Sequence, residues 1–221
     1  MFKYQPRLVT TRSKKSNKTV IIKNNDSDDD EDSMDNISGS MKKISKDNNH
    51  IYFHAEVDRD NIFELIELIR KCEIDNIMLA HQLCCDPIPI YLHINSFGGS
   101  IFDALTAIDV MKSSKVPVHT IIEGATASAG TLMSVVGKKR YIRPNAHMLI
   151  HQLSSGYWGK MQELEDDFEN NKALMDKILN IYKEHADIPK KQLRDILKHD
   201  LWWNVDTCMK YGLVDELWDR V

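Results

Sequence analysis

The stretch Ile90-Tyr91-Leu92-His93-Ile94-Asn95-Ser96-Phe97-Gly98-Gly99-Ser100 passes from an apolar run into two glycines, then into Ile101 to Ser114, where Ala104, Leu105, Ile108 and Met111 fall at helical spacing. Strand, turn and helix follow one another with no loop between them. The alternation extends both ways. Val118 to Ile122 reads as the next strand; upstream, Ile51-Tyr52-Phe53 reads as a strand, and Ile62, Leu65, Ile66 and Ile69 mark one face of a helix opened by Asp60. Strands that alternate with helices are joined by right-handed crossovers and lie parallel, so the expected fold class is α/β.

Further on, Thr126 to Val136 reads as a helix of small residues, Tyr141-Ile142 and Met148-Leu149-Ile150 as short strands, and Met161 to His185 as a long helix. The long helix carries Leu164, Phe168, Met175, Ile178 and Tyr182 as a stripe, which calls for burial against the domain or a neighbouring subunit. Residues 1–49 differ in kind. They are rich in Lys, Ser, Asn and Asp, with an acidic run from Asp28 to Asp32, and are too poor in apolar residues to form a core, so a disordered tail is expected there and a folded domain over 50–221. Met1 to Asn25 is basic without an acid, as in a transit peptide to an organellar matrix, but Lys outnumbers Arg and no amphipathic helix is evident.

The formal net charge of -4 offers no basic field to nucleic acid, and no apolar run reaches the ~20 residues of a membrane span. Cys72, Cys84, Cys85 and Cys208 lack metal-ligand spacing, and adjacent Cys84 and Cys85 suit no ordinary disulfide. A reducing, cytoplasmic compartment fits.

Three segments carry residues able to do chemistry. At Gly98-Gly99 backbone amides can approach a reacting oxygen with no side chain in the way, although a lone Gly-Gly equally makes a tight turn. At Gly124-Ala125-Thr126-Ala127-Ser128-Ala129-Gly130 a serine stands near a helix start, whose N–H groups favour developing negative charge; small residues here also permit close helix packing. At Met148-Leu149-Ile150-His151-Gln152 a histidine ends an apolar strand, at the edge where α/β folds build sites, or is simply structural. His147 and His151 are four apart, a spacing that joins metal ligands on a helix but not on a strand. A serine nucleophile needs a base and a carboxylate to orient that base. Among the many acids, the residues alone leave the carboxylate open.

In order along the chain, Ile94-Asn95-Ser96-Phe97-Gly98-Gly99, Ala127-Ser128-Ala129-Gly130, Met148 to Gln152 and Tyr211-Gly212-Leu213-Val214-Asp215 resemble the proteolytic subunit of the Clp protease, the ClpP family. The resemblance covers roughly His50 to Val221. It implies a crotonase-type spiral of ββα units with a protruding handle helix, Met161 to His185, that interlocks the subunits of a homo-oligomeric ring, in the family two stacked heptamers. It implies Ser128 as nucleophile, His151 as general base and Asp200, counted back from Gly212 to Asp215 without a gap, as the orienting carboxylate. The amides of Gly99 and Ala129 become the oxyanion donors, and Ser154-Ser155-Gly156 the stretch that pairs with an extended substrate backbone. The implied activity is serine endopeptidase cleavage of unfolded polypeptides or short peptides in a chamber, fed by an AAA+ unfoldase, with no cofactor and no metal.

Departures from the family pattern are specific. Phe97 replaces a proline before the glycines, Lys198-His199 replaces an acid and an arginine that pair the rings, and Glu123 and His93 occupy a normally apolar cleft for the unfoldase. A buried charge there is costly unless paired. Three other functions compete: a catalytically silent scaffold subunit, which the complete triad disfavours; a crotonase-type acyl-CoA enzyme, which needs no such triad; and a processing peptidase, as in viral head maturation, that works without an ATPase.

Overall fold

The computed structural model describes residues 43–219. Strands β1 (Ile44–Asp47) and β2 (His50–Phe53) form an antiparallel hairpin with Asp47 opposite His50, turning through Asn48 at φ 51. Asparagine tolerates this left-handed conformation better than most residues. The hairpin corrects the expected domain start at His50: Ile44, placed in the tail by composition, is a buried core residue. It also departs from an all-parallel sheet. The rest of the expected tail, residues 1–42, lies outside the described residues.

Helix α1 (Arg59–Leu83) is capped by Asp58, whose side chain accepts from the Asn61 amide at 2.8 Å. It buries Ile62, Leu65, Ile66 and Ile69 as expected, then Cys72, Asn76 and Ala80 further along the same face. It delivers the chain to β3 (Ile90–Ser96), parallel to β2. Helix α2 (Ile101–Ser113), capped by Ser100, leads to β4 (Val118–Ala127), parallel to β3. These two crossovers are the alternation read from the sequence.

Beyond Ile122 the expected helix from Thr126 to Val136 is corrected. Thr126 and Ala127 end β4, and helix α3 covers only Ala129–Val135. The extra strand length comes from having two neighbours: Thr120 to Ile122 pairs with β5 (Arg140–Ile142), and Ala125 to Ala127 with β6 (His147–Leu149). Gly124, at φ 57, lies between the two parts. Small residues give no periodic signal, so only these pairings reveal the strand. The sheet runs β1-β2-β3-β4-β5-β7, with β7 at Glu216–Leu217 and β6 joined to β4.

One face of the sheet buries Ile51, Phe53, Leu92, Ile94 and Ile122 with residues of α1, α2 and α3. Each such side chain contributes about 1.5–3 kcal/mol by leaving water. A separate small cluster joins Ile121, Tyr141 and Trp218, with Tyr91 against it. Beside it, Glu123 is not an unpaired charge. His93 Nδ1 lies 2.8 Å from it, Arg143 Nε 3.1 Å and His54 Nε2 3.4 Å. Burial alone would raise the Glu123 carboxyl, but the His93 hydrogen bond and charge, joined by Arg143, bring it down to about 2.

Helix α4 (Met161–His185) divides along its length: Ile178, Leu179, Ile181 and Tyr182 are buried, whereas Met161, Leu164 and Phe168 are exposed. Two short helices follow, α5 (Lys190–Ile196) and α6 (Val205–Lys210). Among the described residues no helix is long and apolar enough to cross a membrane.

Candidate active site

Ser128 occupies the single residue between β4 and α3, at φ 53 and ψ -126. A non-glycine residue pays about 1–3 kcal/mol for such a backbone and keeps it only where its surroundings over-determine it. They do so here. The Ser128 amide donates to the Leu149 carbonyl at 3.0 Å, and the Ser128 carbonyl accepts from Thr131 twice, from its amide at 2.9 Å and from its hydroxyl at 2.6 Å.

Gly98 presses on the same turn. A Cβ on Gly98 would lie 2.7 Å from the Ser128 Cβ and 2.9 Å from the Ala127 carbonyl, so only glycine fits. The glycine turn is pinned from its other side by Val57, whose amide donates to the Gly98 carbonyl at 2.8 Å and whose carbonyl accepts from the Ser100 amide at 2.7 Å. Neither the Gly99 nor the Ala129 amide donates a hydrogen bond among the described residues. Phe97, where the resemblance expects proline, is exposed and meets Trp202 edge-on with ring centroids 6.1 Å apart.

His151 lies just past the end of β6. The segment carrying Asp200 is held beside it by backbone bonds: Met148 and Trp203 exchange two, at 2.9 and 2.7 Å, and the Gln152 amide donates to the Leu197 carbonyl at 2.7 Å. These bonds bring Asp200 Oδ1 to 3.3 Å from His151 Nδ1. The His151 side chain is 23% exposed and that of Asp200 74%.

A cavity of about 270 Å³ is lined by Gly99, Ser128, Ala129, His151 and Ser154, with Phe102, Leu132, Ile178 and Tyr182 among its walls. Six residues named from the sequence are therefore gathered at one place: five line the cavity, and Asp200 Oδ1 lies 3.3 Å from His151 Nδ1. Ser155 and Gly156 do not line it. Ser155 Oγ accepts from Asn171 at 3.1 Å, and Gly156 faces open space within a stretch, 150–160, that forms no strand. Sequence reasoning missed Thr131 and the role of Tyr182 beside it, because their contact joins two helices with no local signal. Among the described residues no group of three or more His, Cys, Asp or Glu is placed to hold a metal.

Chemically, the parts match what acyl transfer to a hydroxyl requires. A serine is displayed on a strained turn, an imidazole shares its cavity, a carboxylate lies 3.3 Å from the imidazole Nδ1, and two uncommitted amides line the same turn region. The fold is of the α/β class, and the cavity at the end of β4 gathers a serine, a histidine and the two amides.

The particular family follows from comparison. The sequence pattern of the family described as Clp protease matches residues 46–221, and the chain belongs to that family. It is 33% identical over 133 residues to the ATP-dependent Clp protease proteolytic subunit of Deinococcus radiodurans, covering 59% of this chain and 65% of that protein. The subunit of the same name from Streptococcus mutans is 34% identical over 135 residues, covering 59% and 69%. The aligned part thus spans about two thirds of the length of these relatives. Among solved structures, a mutant of ClpP1 from Listeria monocytogenes shares the fold with a TM-score of 0.68 at 23% identity, covering 78% of this chain and 92% of that one.

Proposed function

We propose that the protein is a serine endopeptidase in which Ser128 attacks the peptide carbonyl, His151 takes the hydroxyl proton and gives it to the leaving amine before activating the water that frees the acyl group from Ser128, and Asp200 holds the imidazole in the required tautomer. The amides of Gly99 and Ala129 receive the oxyanion, and Ser154 borders the substrate path, with Ser155 and Gly156 beyond it. The observation that carries this assignment is the strained Ser128 turn opening on the cavity that also holds His151, with Asp200 Oδ1 3.3 Å from His151 Nδ1. A backbone held at that energetic cost, with two amides left uncommitted, is the arrangement acyl transfer needs.

The subunit works within a self-assembled ring whose chamber encloses the sites, on polypeptides or short peptides supplied by an ATP-dependent unfoldase. The polar network of Glu123, His93, His54 and Arg143 favours a second mode. Paired charges where the resemblance implies an apolar cleft give poor lodging to an apolar docking segment, which suits a peptidase that processes its substrate without an ATPase.

Fluorophosphonate labelling tests the chemistry without knowledge of the substrate. Wild-type protein should take up one probe per chain at Ser128, and Ser128→Ala should take up none while remaining folded. Full labelling of Ser128→Ala, or no labelling of the wild type, refutes the assignment. Comparing cleavage of a folded protein with and without an unfoldase separates the two modes.

A further inference from the structure

Thr131 and Tyr182, which the assignment above leaves without a role, form a polar chain from Ser128 to α4. The Thr131 hydroxyl donates to the Ser128 carbonyl at 2.6 Å and lies 2.6 Å from the Tyr182 hydroxyl. Thr131 has one hydroxyl proton, and the carbonyl receives it, so Tyr182 is the donor in the second bond. Thr131 is 0% exposed and Tyr182 1%. Water does not compete for either bond. Burial, which outweighs the opposing effect of the hydrogen bond shared with Thr131, pushes the Tyr182 hydroxyl upward, so it keeps the proton it donates.

The Ser128 carbonyl and the Ala129 amide are the two ends of one planar peptide group. Whatever fixes the oxygen also fixes the direction of the N–H. Hydrogen bonds accepted by the carbonyl polarise the amide and make its N–H a stronger donor, by about 10–30% per bond in condensed-phase estimates. The Ser128 carbonyl accepts two such bonds, and the one from Thr131 Oγ1 is itself reinforced by Tyr182.

We infer that Thr131 and Tyr182 are positioning residues that orient and polarise the Ala129 amide as an oxyanion donor, linking the strength of that donor to the seating of α4. This rests on the peptidase reading above. Neither hydroxyl touches the reacting atoms; their effect passes through the peptide plane. A wall role for Tyr182, which lines the cavity, is separable from this one, because Tyr182→Phe keeps the ring and removes only the hydroxyl.

The test compares wild type, Tyr182→Phe, Thr131→Val and Thr131→Ser, reading kcat and KM on a short fluorogenic peptide, the second-order rate of fluorophosphonate labelling, and Tm. Tyr182→Phe and Thr131→Val should lower kcat and the labelling rate about ten-fold, less than the ~10²–10³ lost with an oxyanion donor itself. KM should stay within about two-fold, as expected for an interaction that acts in the transition state. Thr131→Ser, which keeps the hydroxyl, should restore the rate. Removing both hydroxyls together should cost no more than Thr131→Val alone, since they act in series.

Wild-type kcat in Tyr182→Phe, or a change confined to KM, overturns the inference. Should Tyr182→Phe misfold, the serine and valine variants at position 131 decide: equal kcat at equal Tm also overturns it. A wild type that takes no label removes the peptidase reading and this inference together. A labelled wild type with equally fast variants removes this inference alone.

Discussion

Asp200 holds a nitrogen of His151 at 3.3 Å while its own side chain is 74% exposed. In water the Coulomb attraction between such groups is small, so charge contributes less here than shape and tautomer. The backbone bonds of Met148, Gln152, Leu197 and Trp203 place the carboxylate, and its exposure limits what it adds. Asp200→Asn should therefore leave a folded protein with kcat reduced about 10²-fold at neutral pH, short of the ~10⁴ lost where the carboxylate is buried. Asp206→Asn is the clean control. Asp195 pairs with Lys198 and Asp215 with Arg140, so changing either disturbs other contacts. Near-normal kcat in Asp200→Asn would remove it from the triad. Ser128 and His151 were legible as candidates because their neighbours have local character, small residues around one and an apolar strand before the other. Asp200 was not, since Leu197-Lys198-His199-Asp200-Leu201 resembles any exposed loop; only resemblance and then the Met148 and Trp203 pairing single it out.

At the scale of elements, the sheet carries a pH response. Burial, then the charge of His93, holds His50 below its ordinary 6.5, and burial, then Lys139, does the same for His119. A group whose folded pKa is depressed adds stability above its unfolded pKa and loses it as pH falls towards the folded value. The histidine contribution is thus present at pH 7 and above and declines below about 6.5; that of Glu123 declines only between 4.5 and about 2. The urea midpoint should accordingly drop between pH 7.5 and 5.5. His119→Phe should flatten that drop without loss at pH 7.5, because the buried His119 Nδ1 has no partner among the described residues and the ring contacts with Tyr91 and Tyr141 can persist. An unchanged slope in the variant would exclude His119 as a source. Elements with strong periodicity were legible, above all α4, expected and found at Met161 to His185. Missed were β1, the second half of β4, α5, α6 and β7: short pieces whose hydrogen-bond partners lie far away in sequence, so no local pattern announces them.

For the whole molecule, the two halves of α4 set the question of assembly. The inner half inserts Ile178, Leu179, Ile181 and Tyr182 into the core, whereas the outer half presents Met161, Leu164 and Phe168 to solvent just after Tyr157 and Trp158, the latter 95% exposed. Lone apolar residues on a surface need no explanation, but a run of large ones on a single projecting helix marks an interaction surface. At about 1.5 Å rise per residue the exposed half reaches far enough to lie along a neighbour, and a stable interface needs roughly 800 Å² from each partner. Such a helix cannot cover its own outer stripe, so a second copy of the chain is the natural cover, as the proposed ring requires. Wild-type protein should sediment as an oligomer at micromolar concentration, and the double change Leu164→Glu with Phe168→Glu should shift it towards monomer while leaving Tm of the core little changed, since neither residue is buried in the monomer. Because Tyr182 lies on the same helix and is tied through Thr131 to the Ser128 turn, the dissociated variant should also label with fluorophosphonate more slowly than the assembled wild type. An oligomer that survives both glutamates would place the contact elsewhere, and a monomer that labels at the wild-type rate would show that the seating of α4 does not depend on assembly.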